Sequence, residues 1–468
     1  MKTINRKPLF LALAGITALG AVGTAQAVSV NPTGLGQVLL YPYYTVKGVD
    51  NPYNTLISIV NTTASTKAVK IRFREGKASK EVLDFNIFLS PYDMWTASLE
   101  PAGGAAGGVK LFTNDTSCTI PKIPATGVDF RNSRYIGDGA ADNSLARLRE
   151  GYFEVIEMAT YTDGSVIAKN SKHTSSRVPK DCSLVTDDAA YDEQRLPQGG
   201  LTGTASLVSP GSGLNAATDP TVLVNFKFGA NYQDTGQIAP DMSDADTFST
   251  TADGFGNAIL ANWTLGEDAV SAALMKNAII NEFVLDPGTA SATDWVITFP
   301  TKGFYVSDAG RKNPFQSKLG KTGSCDDIVL NTYDREEQTT QPGGPDFSPS
   351  PTTPNVQICW EANVLTFNNK NLFSSSNTLG VDTLFINGWA RMDFHPDTLL
   401  PLYAQDATEV VMDGSSAFTT SSNTTFTGLP VIGFAVQTFR PSLSTSYAGT
   451  FYHRYEPGTP NNLRRTAQ

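Results

Sequence analysis

The chain has 468 residues, with 35 Lys and Arg against 45 Asp and Glu, a formal charge of −10, and 17% charged residues, below the roughly 25% of an average domain. An acidic chain without a basic cluster repels phosphate backbones and anionic lipid, which argues against nucleic acid as a partner. The Thr-, Ser-, Asn- and Gly-rich remainder suits an exported β protein large enough to bury at least two cores.

Residues 1–27, MKTINRKPLFLALAGITALGAVGTAQA, have a basic start (Lys2, Arg6, Lys7), an apolar run from Leu9 to about Val22 and Ala25-Gln26-Ala27 at the end. This is the pattern of a secretory signal peptide with a small-x-small cleavage site. The mature chain is therefore expected to begin at Val28, and loss of the three cations takes the charge from −10 to −13. No cysteine follows the cut, so a lipoprotein anchor is not expected. No other stretch approaches the roughly 20 apolar residues of a membrane-spanning helix. The expected location is the cell surface or the extracellular space, with the periplasm as the alternative.

From residue 37, QVLLYPYYTV, NTLISIVNT, AVKIRFREG, EVLDFNIFLSP and DMWTASLEP follow one another, separated by Gly, Pro, Asn and Asp. That spacing predicts short strands of an all-β sandwich. In AVKIRFR, Val69, Ile71 and Phe73 share one face and Lys70, Arg72 and Arg74 the other. The charged face is expected to be solvated, with Arg72 or Arg74 paired across strands to Asp84. Pro42 predicts an edge strand or a bulge. Further on, REGYFEVIEMATYTDG (149–164) holds Glu154 and Glu157 in a run that otherwise reads as buried. In a strand these two point to opposite faces, whereas a glycosidase pair must converge across roughly 5 to 9.5 Å of one cleft. The β-branched and aromatic content favours a strand, so both glutamates are expected to be structural.

Residues 28–233 are assigned to an N-terminal sandwich domain with a long loop insertion, and 234–257 (DTGQIAPDMSDADTFSTTADGFGN) to an exposed acidic linker. Residues 258–468 form a C-terminal β-rich domain with a Pro-rich loop at 326–358. One helix is predicted, from about Glu267 to Asn277. The fold class is thus all-β: two sandwich-like (immunoglobulin-like) domains, one short helix and disulfide-closed loops. Cys118, Cys182, Cys325 and Cys359 allow three connectivities; the sequential pairs Cys118–Cys182 and Cys325–Cys359 are favoured because each closes a polar loop at low topological cost.

Candidate chemistry is sparse. His173, His395 and His453 are far apart, and no H-E-x-x-H, G-x-S-x-G or phosphate-binding glycine loop is present. Asp241, Asp244 and Asp246 offer hard oxygens of the kind calcium takes, and Asp138 with Asp142 offers a second such loop; neither spacing is an EF-hand. No other cofactor is indicated. YPYY (Tyr41, Tyr43, Tyr44) and Trp95, Trp263, Trp295, Trp360 and Trp389 could stack on sugar rings, although Trp95, Trp295 and Trp389 lie in strand patterns that favour core packing.

LLYPYYTV, SIVNTT, DFNIFLSPYDMW, REGYFEVIEMA, PKDCSLV, LPQGGLTG, AVSAALMKNAIINEFVLD and TDWVITFPTKGFYV together resemble an uncharacterised family of secreted or cell-surface proteins of Gram-negative bacteria without an established activity. The resemblance spans about residues 37–456 and implies envelope or extracellular placement, with the Cys118–Cys182 excursion as a family feature; it carries over no site residue. The expected function is that of a non-enzymatic surface or extracellular-matrix protein, S-layer-like or structural, acting by self-association or adhesion to envelope components. The alternatives are a carbohydrate-binding surface module and an uncharacterised hydrolase.

Overall fold

The computed structural model describes residues 27–48, 51–104, 107–138, 142–252, 258–307, 313–339, 356–394, 400–410, 418–422, 424–442, 445–458 and 460–461. The expected signal peptide up to residue 26, His395 and the centre of the Pro-rich loop lie outside these residues.

The chain is all-β. In the N-terminal half a seven-stranded sheet runs in the order Ser29–Val30, Thr221–Val224, Val38–Thr45, Glu150–Tyr161, Thr66–Glu75, Glu81–Leu89, Cys118–Ile120. It faces a six-stranded sheet ordered Leu214–Thr218, Leu201–Ser209, Asn54–Asn61, Met94–Pro101, Val109–Phe112, Val128–Asp129. Between them lies a core in which Val69, Ile71, Phe73, Phe153 and Val155 meet Ile57, Ile59, Trp95, Leu99 and Leu111. A second sandwich follows in the C-terminal half. A sheet of six strands centred on Met275–Val284 and Asn387–Phe394 packs against one of five, Thr378–Val381, Ala362–Phe367, Ala292–Thr298, Ile432–Ser442 and Thr445–Tyr452. Small sheets of four and three strands complete this half.

The outer N-terminal strand Leu201–Ser209 alternates buried and half-buried residues along its whole length, the signature of one dry and one wet face. Val38–Thr45 and Glu150–Tyr161 are instead buried at every residue. Their second face meets the C-terminal half. Val38, Leu40, Ile156 and Leu223 join one core with Ala269, Val270 and Leu274, and Tyr43 and Tyr53 join another with Val296, Phe373 and Phe434. Side chains of this size contribute about 1.5–3 kcal/mol each on full burial. Val28 is drawn in as well: its N–H donates to Phe248 O and its carbonyl accepts from Thr250 N.

Several expectations are corrected by this second layer. Of the two expectations for Pro42, the bulge holds and the edge does not, since its strand is central. The ladder to Thr221–Val224 ends at the Leu40–Thr221 pair, and the register opposite Glu150–Tyr161 shifts between Gly151 and Phe153. Pro42 sits at that bulge, where a missing N–H breaks no ladder, and its carbonyl accepts from Thr298 Oγ1 of the other half. The acidic segment after residue 234 is not a solvated linker: Asp241, Met242 and Ala245 are buried. The predicted helix is present but shorter, Gly266–Leu274, because Met275 already begins a strand. Three further short helices, Val166–Ser171, Asp187–Asp192 and Lys302–Val306, were not anticipated. The first two carry N-caps, Ser165 and Thr186, whose hydroxyls accept from Ala168 N and Ala189 N; this is the signal that marks them in sequence.

Both disulfides join the sequential pairs, Cys118–Cys182 and Cys325–Cys359. The first ties the edge strand Cys118–Ile120 to the small helical excursion, whose own core is Ile167, Ala168, Val185 and Ala190. Loop-closure entropy over a separation of 64 residues assigns this bridge about 4 kcal/mol. Replacing Cys118 and Cys182 by Ser is expected to lower the urea midpoint accordingly; an unchanged midpoint would mean that the excursion's core alone holds it.

Candidate functional site

The strand Thr66–Glu75 decides the fate of the two glutamates singled out by the sequence. Glu154 and Glu157 lie on opposite faces of Glu150–Tyr161, and both are buried. Glu154 Oε1 accepts from Arg72 Nη1 at 3.3 Å and from Arg74 Nε and Nη2 at 3.1 and 2.9 Å. Glu157 pairs with buried Lys67 and also accepts from Gln198 N and Gly199 N. Gly199 and Gly200 adopt φ of 73° and 81°, a conformation natural to glycine, and this turn aims the two amides at the carboxylate. Burial pushes the Glu157 carboxyl upward against the pull of Lys67. The two carboxylates do not converge on one cleft: each is buried and taken up by cations on its own face, Glu154 sharing Arg74 with Asp241 and Arg72 with Glu81.

The face of Lys70, Arg72 and Arg74 is buried rather than solvated. Residues 234–240 lie over it, with Asp234 O accepting from Lys70 and with Ile238 O and Pro240 O accepting from Arg72. Asp84 lies opposite Arg72 in the register, yet its ion pair is with Lys70 at 3.1 Å. Arg72 reaches Glu81 instead. At the end of the same strand, Glu75 is enclosed by Lys77 N, Ala78 N and Lys80 N and by a bidentate Arg147. Glu150 reaches the other half: it accepts from Tyr43 OH, Lys47 and Ser376. Burial raises the Glu150 carboxyl, but Lys47 and the serine hydroxyls outweigh it and the net shift is downward.

The carboxylates considered for calcium are engaged with the protein. Asp241 and Asp244 form a reciprocal cap on a single 3-10 turn, and Asp246 pairs with Lys227 and accepts from Phe228 N. Asp138 pairs with Arg147 and Asp142 with Lys77. Among the described residues no group of three or more His, Cys, Asp or Glu is placed to hold a metal ion.

Tyr41, Tyr43 and Tyr44 are core residues, with hydroxyls bonded to Ser58 O, Glu150 and Leu148 O. Trp95, Trp263 and Trp295 are buried as well. Trp389 departs from its expected core role: it is 39% exposed and stacks on Tyr333 at 4.3 Å. His453 is half-buried between Asn281 and Val296 O, and desolvation of its ring pushes it down to about 4. His173 meets Ser90 and Thr116 through its two ring nitrogens, with Asp93 at 3.6 Å. This grouping, invisible in the sequence because its members span 83 positions, pins the disulfide-tied excursion to the strand end.

Two concave surfaces stand out among the described residues. One, of about 660 Å³, is an open trough on the outer face of the six-stranded N-terminal sheet, lined by Ser58, Thr96, Ser98, Thr204 and Ser206. The other, of about 330 Å³, lies where the turn after Glu75 meets the helix Lys302–Val306. Behind it Glu361 is buried; its carboxyl is pushed up to about 8 by burial, with Lys302 and Ser79 opposing. Asp294, also buried, is pushed up to about 7. Compared with known proteins, the chain matches no family model, no curated protein and no solved structure. The functional reading therefore rests on this geometry.

Removing the Glu154 carboxylate takes the nearest counter-charge from Arg74 and leaves Arg72 with Glu81 alone, so Glu154→Ala is expected to destabilise by about 3 kcal/mol in urea unfolding. Glu282→Ala at the exposed Arg454 pair is expected to cost under about 1 kcal/mol. Equal effects would contradict the buried network. Glu361 keeps its proton in the folded state up to about 8, but unfolded it ionises near 4.5. The stability it contributes is thus complete below the lower value and is lost as pH rises through the upper one. Glu361→Gln is expected to flatten the fall in unfolding free energy between about pH 5 and pH 8; an unchanged slope would show that Glu361 ionises normally.

Proposed function

We propose that this chain is a non-enzymatic exported protein of the cell surface or extracellular matrix that acts by self-association. The observation that carries the reading is the strand Thr445–Tyr452. It ends its five-stranded sheet, and among the described residues its outer side has no ladder partner; Leu214–Thr218 of the other half packs beside it, with Ala216 and Ala448 in one core and Asp219 N donating to Tyr452 OH. Its sequence, TSYAGTFY, contains neither charge nor proline, two of the devices that blunt a free edge. It exposes Tyr447, Phe451 and Tyr452 by 60%, 43% and 54%. A second copy offers the same uncharged edge, and antiparallel pairing of two such edges is self-complementary about a two-fold axis. Two further observations agree with export and with a structural role. Both described disulfides are of the kind that persists in oxidising compartments, and the paired-carboxylate candidates are consumed in ion pairs. No described helix is long and apolar enough to cross a membrane.

Light scattering of the mature chain across concentration is expected to show a rising apparent mass, with and without calcium. The double variant Tyr447→Lys, Phe451→Lys is expected to remain monomeric at an unchanged unfolding midpoint. A wild type that stays monomeric throughout, or a variant that assembles as the wild type does, would overturn the proposal. Assembly that requires calcium would direct mutation to Asp241, Asp244 and Asp246.

A further inference from the structure

The 330 Å³ cleft is a concave surface in which this acidic chain gathers positive charge. Its lining includes Arg74, Lys80 and Arg134 against the single carboxylate of Glu81, and that carboxylate is already bonded to Arg72. Arg74 is held by Glu154 and by Ser79 O. The side chains of Lys80 and Arg134 differ from it: among the described residues neither has an ion-pair or hydrogen-bond partner. Arg134 is exposed and Lys80 half-buried, so the cleft offers an incoming anion two cations that no described carboxylate of this acidic chain occupies.

The cleft is also built to present polar and apolar groups together. Glu75 draws Lys77 N, Ala78 N and Lys80 N around its carboxylate, and the turn thus formed places Ser79 at φ 53°. That conformation is uncommon for serine and persists because the surrounding bonds fix it. Ser79 Oγ accepts from the buried Tyr152 hydroxyl at 2.7 Å. On the opposite side Phe304 and Ile238, the latter 64% exposed, give an apolar wall. Carbohydrate sites combine these elements: hydroxyls and cations for the oxygens of the ring, and an apolar surface for its C–H face.

We infer that this cleft binds an acidic sugar, a pyranose bearing a carboxylate, with Lys80 and Arg134 pairing the carboxylate and Phe304 with Ile238 covering the apolar face. The inference is independent of the edge-strand assembly proposed above, since the two surfaces share no residue. The sugar acid could be free or a unit of a polysaccharide, and both present the same chemistry to the cleft.

Isothermal titration of the full mature chain with glucuronate, with an oligogalacturonate and with glucose tests it. Glucuronate and the oligomer are expected to bind at least tenfold more tightly than glucose, with affinity falling as salt is raised. Binding of the oligomer alone would assign the polysaccharide source, and equal binding per residue the free acid. The double variant Lys80→Glu, Arg134→Glu is expected to lose acid binding at least tenfold while its unfolding midpoint stays unchanged, because neither side chain holds the fold. The inference is overturned if neither acid binds, if glucose binds equally well, or if the charge-reversed variant binds as the wild type does.

Discussion

Three cations on one strand face, Lys70, Arg72 and Arg74, have to be neutralised once that face is covered, and the architecture is organised around meeting this demand. An unpaired buried charge is prohibitively costly, and a buried pair is tolerable only when its remaining hydrogen bonds are made. Glu154 from one neighbouring strand and Glu81 and Asp84 from the other supply the charge. The carbonyls of Asp234, Ile238 and Pro240 supply the remaining acceptors. The segment that follows the N-terminal sandwich is therefore fixed in place as a lid over the sheet. The second sandwich begins from a held position.

That arrangement explains why the central N-terminal strands are buried on both faces. Their second face is partly charged, where the lid sits, and partly apolar, where Leu40, Ile156 and Leu223 meet the helix Gly266–Leu274. The two halves keep separate sheets but share cores, and Glu150 with Ser376 and Pro42 with Thr298 add polar links across the junction. Such a junction holds the turn carrying Ser79 against the Lys302–Val306 helix, so the basic cleft keeps its shape. It also places the Thr445–Tyr452 edge on a stiff support, with Tyr452 OH accepting from Asp219 N of the other half. A rigid edge loses less entropy on pairing than a mobile one.

Much of this was legible in the sequence, and the limit has a physical cause. Period-two alternation in AVKIRFR placed Val69, Ile71 and Phe73 on one face and the three cations on the other, and put Glu154 and Glu157 on opposite sides. The cysteine order gave both disulfides. Alternation reports which residues share a face but not what lies beyond it, so the charged face was read as solvated. For the same reason the acidic segment over it was read as a linker and YPYY as a platform. Asp84 was paired with an arginine by register, whereas the lysine beside it reached it in space. The cleft joins residues around 79, 134, 152, 238 and 304, and the His173 contacts likewise assemble only in three dimensions. No spacing rule connects such positions.

The central claim is that the buried ionic face and the shared cores make the two sandwiches one cooperative unit. Differential scanning calorimetry of the mature chain tests it most directly. One transition, with calorimetric and van't Hoff enthalpies in agreement, is the predicted result. Two separable transitions, one for each half, would contradict it.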